Sequence, residues 1–187
     1  MDGSHLQGGF ADPAIDAARA FRSVMDAMAR PGQIYTLQGA APPQPISVAA
    51  GAVILTLCDA DTPIFLGPDL DKPGIQAWIA FHTGAPFAGR SECMFALGNW
   101  SSLAPLEDFP HGRSDYPDRS ATLIVEMPEI SVNGPTLRGP GIQGSATLSL
   151  PETVSFRRNH AMSPCGLDFI FTSGNDVAAL PRSTEVI

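Results

Sequence analysis

An α/β domain, a mixed β-sheet with helices packed on it, is the fold class this 187-residue sequence predicts. Three observations carry that reading. Short apolar runs of β type alternate irregularly with helical stretches and no internal repeat is present, as expected for a sheet with both parallel and antiparallel neighbours. Apolar residues make up 44% of the chain and charged residues 16%, with slightly positive mean hydropathy. That balance excludes a disordered chain and leaves little solvated surface to spare. The 18 glycines and 18 prolines call for short elements and many turns.

Met1 to Ala11 is polar and Gly-rich and reads as a flexible lead-in, with residues 12–187 forming a single domain. A chain of this length buries about 70% of the surface it exposes when unfolded, enough for one core. Asp12-Pro13 supplies a helix cap with proline at the first helical position, and Ala14, Ala18, Phe21, Met25 and Met28 follow at helical spacing. Arg30-Pro31-Gly32 stops this helix. Gln33 to Leu37 then alternates like a strand. After a Pro-rich loop, Ser47 caps a helix of small apolar residues running to about Cys58, apolar all round and so buried on more than one side.

Thr62 to Leu66 reads as a short core strand, Pro73 to Phe81 as a helix ending in His82-Thr-Gly-Ala-Pro86, and Met94 to Leu97 as a strand. From Asn99 to Ser120 the pattern is lost, and an excursion of that length serves a partner or a site more often than a core. Ala121 to Met127, Thr136 to Arg138 and Ala146 to Leu150 are further strands, with a turn at Asn133-Gly134. Pro151 opens a helix to His160. The C-terminal stretch is a hairpin: Leu167 to Thr172, turn residues Ser173-Gly-Asn-Asp176, then Val177 to Leu180. Beyond it lie Arg182, Ser183, Thr184 and Glu185.

A net charge of −8, with one lysine, argues against nucleic acid or an anionic membrane as partner. Cys58, Cys93 and Cys165 are far apart, contain no Cys-x-x-Cys pair and lie in or beside apolar runs, as reduced cytoplasmic thiols do. No signal peptide starts the chain, and Val48 to Cys58 is too short to span a bilayer.

Chemistry-bearing motifs are sparse. Gly139-Pro-Gly-Ile-Gln-Gly144 matches G-x-G-x-x-G, but a β-type run follows where a dinucleotide site needs a helix, so a turn between strands is expected. Phosphate-loop, nucleophile-elbow and His-Glu-x-x-His signatures are missing. Lys72 lies in an acidic loop and lacks the desolvated setting of a Schiff-base lysine. Asp59, Asp61 and Thr62 could bind a cation but more simply cap and turn the chain. His82 and Thr83 end a helix, where histidine satisfies last-turn carbonyls. His160 and Cys165 lack an orienting third group. Among Arg138, Arg157, Arg158 and Arg182, Arg182 has the best setting for an anion, with Ser183 and Thr184 as donors. An ion pair with Glu185, Asp168 or Asp176 serves it equally well.

Five ordered segments carry a resemblance: Phe21 to Gly32, Leu55 to Pro63, Phe81 to Pro86, Leu137 to Ile142, and Gly166 through Val186. In order and spacing they resemble the H subunit of the bacterial carbon-phosphorus lyase complex, from about Pro13 to the end. The resemblance implies a part in phosphonate catabolism, where several subunits together transfer the ribose triphosphate of ATP onto an alkylphosphonate and displace adenine. It implies a fold similar to the large domain of pyridoxal-phosphate-dependent transferases without the cofactor site, so no cofactor is expected. It also implies a homodimer in isolation and partnership with the G, I and J subunits in a core complex. The resemblance carries over no catalytic or metal-binding residue. Two roles follow: a scaffold that is inactive alone, or a subunit lending Arg182, Ser183 and Thr184, with the Asp61-Thr62 and His82-Thr83 corners, to a shared active site. A stand-alone small hydrolase is the remaining alternative.

Overall fold

The computed structural model describes residues 6–187. Its centre is a six-stranded mixed sheet built from β1 (Tyr35–Thr36), β2 (Ile64–Leu66), β3 (Phe95–Asn99), β6 (Thr122–Glu126), β9 (Asp168–Ser173) and β10 (Asp176–Leu180). The order is β1-β10-β9-β6-β3-β2, with β2, β3, β6 and β9 parallel and the β9–β10–β1 edge antiparallel. A second, three-stranded antiparallel sheet joins β11 (Glu185–Val186), β7 (Thr136–Arg138) and β8 (Ala146–Thr147). β4 (His111–Arg113) and β5 (Tyr116–Ser120) form a small ribbon.

Alternation along the parallel strands divides the interior in two. Ile64, Leu66, Leu97, Ile124 and Ile170 face a core shared with α1 (Pro13–Ala29), α2 (Val48–Leu57) and α3 (Pro73–Thr83). Ala96, Leu123, Val125, Phe169 and Phe171 face a second core with Phe156 of α5 (Val154–Ala161), Leu137, Leu148 and Val186. Each core holds one tryptophan. Trp78 of α3 is fully buried in the first, and Trp100, at the start of the single-turn α4 (Trp100–Leu103), stacks on Phe156 at 4.9 Å in the second.

The caps form where the side-chain chemistry places them. Asp12 accepts from the Ile15 amide, and Ser47 from the Ala50 amide. α2 buries Ala49 to Ile54 in an unbroken run, the all-round burial its composition demands.

Several elements differ from the expected ones. α1 turns Ala20, Val24 and Ala27 inward, while the row Ala14, Ala18, Phe21 and Met25 lies exposed. Tyr35–Thr36 alone pairs within Gln33 to Leu37, and Ala146–Thr147 alone within Ala146 to Leu150. α5 starts at Val154, not at Pro151, because the Glu152 carboxylate accepts from the Val154 and Ser155 amides and sets the first turn there. The patternless stretch Asn99 to Ser120 is structured by α4, a 3-10 turn at Leu106–Asp108 and the β4–β5 ribbon. Of the expected flexible lead-in, residues 1–5 lie outside the described residues. Further along it, Trp78 donates to the Gln7 carbonyl, His82 to that of Leu6, and the Ala41 amide to that of Gly8.

The G-x-G-x-x-G stretch is a turn between β7 and β8, with Gly139, Gly141 and Gly144 at positive φ. Gly141 sits so close to α1 that a Cβ would come within 1.8 Å of the Ala29 carbonyl oxygen. No dinucleotide loop is formed.

Candidate functional site

Arg182 lies in the turn between β10 and β11, and its guanidinium is fully engaged within the chain. Its Nη2 meets Asp168 Oδ2 at 2.5 Å and Ser120 Oγ, Nε donates to Asp168 Oδ1 at 3.1 Å, and Nη1 donates to the Pro117 carbonyl. The Arg182 amide adds a bond to Asp168 Oδ1. Asp168 opens β9 and Pro117 and Ser120 belong to β5, so the arginine ties the ribbon to the sheet. His160 donates through Nδ1 to the Arg182 carbonyl. Of the ion pairs open to Arg182 in the sequence, the one formed is with Asp168.

Its neighbours differ in their burial. Thr184 is buried, and its Oγ1 has no hydrogen-bond partner among the described residues. Glu185 is exposed, opposite the exposed Arg138 in the β11–β7 register. Ser183 is half-buried. Among the described residues no side-chain hydrogen bond or ion pair joins these four to one another.

Asp59, Asp61 and Thr62 form a self-contained turn leading into β2. The Asp59 amide donates to Thr62 Oγ1, that hydroxyl donates to the Asp59 carbonyl, and the Asp61 amide donates to Asp59 Oδ1. Thr83 Oγ1 donates to the Ile79 carbonyl and accepts from the Ala85 amide, closing α3. His82 departs from the expected capping role: its Nε2 reaches the Leu6 carbonyl at 2.9 Å, because its ring is packed between Trp78 and Phe81 and points off the helix end. These two corners are neighbours, Gly84 standing against Ala60. They share the amino-terminal end of the parallel strands with Arg182, yet β3 and β6 intervene between β2 and β9. At about 4.8 Å per strand, the corners and Arg182 are separated by roughly 14 Å.

A different polar group gathers at the carboxyl ends of the parallel strands, where open α/β sheets place their ligands. Glu126 ends β6, Asn99 ends β3, and Asp69 lies in the loop after β2. Glu126 Oε1 accepts from the Ser47 amide at 2.7 Å, and Oε2 from Thr172 Oγ1 at 3.2 Å. The carboxylate therefore holds the start of α2 onto the sheet. Burial pushes the Glu126 carboxyl above its ordinary value, and the charge of Asp69 adds to the rise. Asp69 Oδ2 accepts from the Asn99 side-chain amide at 3.0 Å and from its backbone, while Oδ1 is buried without a partner among the described residues. Ser102 Oγ fills the space beside Gly67 and Gly98, either of which would clash with it if given a Cβ. Sequence reasoning missed this group. The available signal was a glutamate ending the apolar run Leu-Ile-Val.

Chemically the two ends contrast. The carboxyl end offers the side-chain oxygens of Glu126 and Asp69 as acceptors, a poor setting for phosphate-rich ligands. The amino end has a cation already neutralised. Among the described residues, no group of three or more His, Cys, Asp or Glu could hold a metal ion, and no helix is long and apolar enough to cross a membrane.

The family model described as bacterial phosphonate metabolism protein (PhnH) matches residues 8–187, nearly the whole chain. The chain belongs to the PhnH family. A relative in Rhizobium meliloti (strain 1021), the alpha-D-ribose 1-methylphosphonate 5-triphosphate synthase subunit PhnH, is 43% identical over 188 aligned positions, covering 96% of this chain and 94% of that protein. A protein of Stutzerimonas stutzeri described as a C-P lyase subunit, HtxG, is 29% identical over 89% of this chain and 84% of its own length. The PhnH match spans both ends of the sheet, so the engaged Arg182 and the Glu126–Asp69 group both lie inside the family's domain.

Proposed function

We propose that this protein is a subunit of the multi-subunit system that joins the ribose triphosphate of ATP to an alkylphosphonate, and that it is inactive alone. The observation that supports this most is the 43% identity, over nearly the full length of both chains, to a protein named as a synthase subunit. The site chemistry is consistent with a scaffolding role. A triphosphate needs several cations or helix N-termini to offset its charge. Here the best-placed arginine is bound to Asp168, and the carboxyl end of the sheet presents Glu126 and Asp69.

In this reading the protein is cytoplasmic, forms a homodimer in isolation and joins the G, I and J subunits in the working assembly. Its mixed sheet resembles the large domain of pyridoxal-phosphate-dependent transferases without the cofactor site. Lys72 supports that, being exposed at the start of α3. Calorimetry on the isolated chain with ATP and with methylphosphonate tests the scaffold: no binding heat is expected, and tight binding of either sinks it. Co-purification with the other core subunits tests the assembly, and growth of a deletion strain on methylphosphonate as sole phosphorus source tests the pathway.

A further inference from the structure

α1 carries two apolar faces, and only one is used. Ala20, Val24 and Ala27 enter the first core. Roughly a third of a turn away, Ala14, Ile15, Ala18, Phe21 and Met25 form a second row that runs along the outside of the molecule. Ile15, Phe21 and Met25 keep 49%, 49% and 51% of their surface in water. Other exposed large apolar side chains, such as Phe81 and Val132, stand on separate elements. Three large residues in one continuous row on a rigid helix mark an interaction surface.

Given the homodimer proposed above, we infer that this face is where a second copy of the chain docks, its α1 packed antiparallel on the first across a two-fold axis. The pattern is self-complementary, as an isologous interface requires and as a face for an unrelated protein has no reason to be. Ala14 and Ala18, with Ile15 beside them, occupy the first half of the row, and Phe21 and Met25 the second. Inverting one helix on the other brings the large residues of the second half over the alanines and Phe10 of the first. In the register that sets Phe21 over Ala14 of the second copy, Met25 reaches that copy's half-buried Phe10.

Charge follows the same inversion. The carboxylates of the first half, Asp12 and Asp16, come opposite Arg22 and Arg19 of the other copy. Arg22 has no salt bridge among the described residues, and the Arg19–Asp16 contact within the chain is a loose 3.9 Å. From Asp12 to Arg30 the segment holds three aspartates and three arginines, and so is neutral on a chain of charge −8. Two such chains meet with least repulsion there.

The test uses the full chain in three forms, followed by light scattering over a concentration series. Wild type is expected at the mass of two chains. The Phe21→Asp/Met25→Asp double variant is expected at the mass of one, with self-association weakened at least about 30-fold. Circular dichroism checks that the variant stays folded. Independently, Ala18→Cys in a Cys165→Ser background, treated with a short bismaleimide, is expected to give a covalent dimer, while Val132→Cys in the same background gives none. A double variant that stays dimeric, with no crosslink through residue 18, overturns the α1 face while leaving self-association intact. A wild type that is monomeric throughout overturns both. A variant that stays dimeric but no longer co-purifies with the other core subunits assigns the face to a different subunit and equally overturns the inference.

Discussion

Removing the Arg182 guanidinium separates a structural clamp from a ligand-binding group. The Arg182 and Asp168 side chains are only 16% and 17% exposed, and the arginine also satisfies the Pro117 carbonyl and Ser120 hydroxyl. Arg182→Ala leaves Asp168 charged and largely desolvated, and breaking a buried pair in this way costs about 3–5 kcal/mol. For a chain of this size each kcal/mol lowers the midpoint of thermal unfolding by roughly 2–4 °C, so a loss of about 6–20 °C is expected. Arg182→Lys keeps the charge without the fork and falls between the two. The assay is thermal and urea unfolding of the purified chain, beside phosphonate turnover by the assembled complex. A variant within about 1 kcal/mol of wild type that assembles normally and has lost turnover would refute the clamp and restore Arg182 as an active-site residue.

Glu126→Gln preserves an acceptor for the Ser47 amide and removes a carboxyl whose folded value is raised above 4.5. A raised acid binds more protons folded than unfolded, so wild type loses stability as pH climbs above about 4.5 through the folded value. The glutamine variant should lack that decline, which urea midpoints between pH 4 and 8 would reveal. Burial pushes the Cys58 thiol up to about 12 and the Cys93 thiol up to about 11. Ellman's reagent at pH 8 should therefore modify Cys165 alone in the native protein and all three cysteines in urea, and a second fast native thiol would contradict this. Gly144→Ala meets open space and should cost about 1–2 kcal/mol for its positive φ alone. Gly141→Ala, driven onto the Ala29 carbonyl, should cost clearly more, as measured by the difference in their unfolding midpoints.

Local chemistry made much of the fold legible. Asp12-Pro13 and Ser47 start their helices through side chains that reach amides three residues on, and the C-terminal hairpin follows from alternation and turn residues. What eluded the sequence lay in long-range pairing. β1 and β8 are two-residue strands defined only by their partners, and the β4–β5 ribbon is held by Arg182 from more than sixty positions away. The same holds for polar sites. Arg182 invited a ligand reading because its partner, Asp168, touches it only once β9 and β10 fold back on each other. Glu126, Asn99 and Asp69 were invisible as a group because two strand ends and the loop after β2, each unremarkable alone, bring them together. Periodicity revealed α1 as a helix, but a helix with two apolar rows does not announce which one faces inward.

The sheet that separates the two cores also separates the chain's two tryptophans, and so gives each half its own optical signature. Trp78 is fully buried, with its indole N–H on the Gln7 carbonyl and its ring against His82, whereas Trp100 is stacked on Phe156 at the edge of an aromatic cluster. Replacing either with phenylalanine leaves a single emitter that reports one layer. Comparing the two single-tryptophan proteins would show whether the layers loosen together or in sequence, and whether a bound subunit stiffens one side of the sheet before the other.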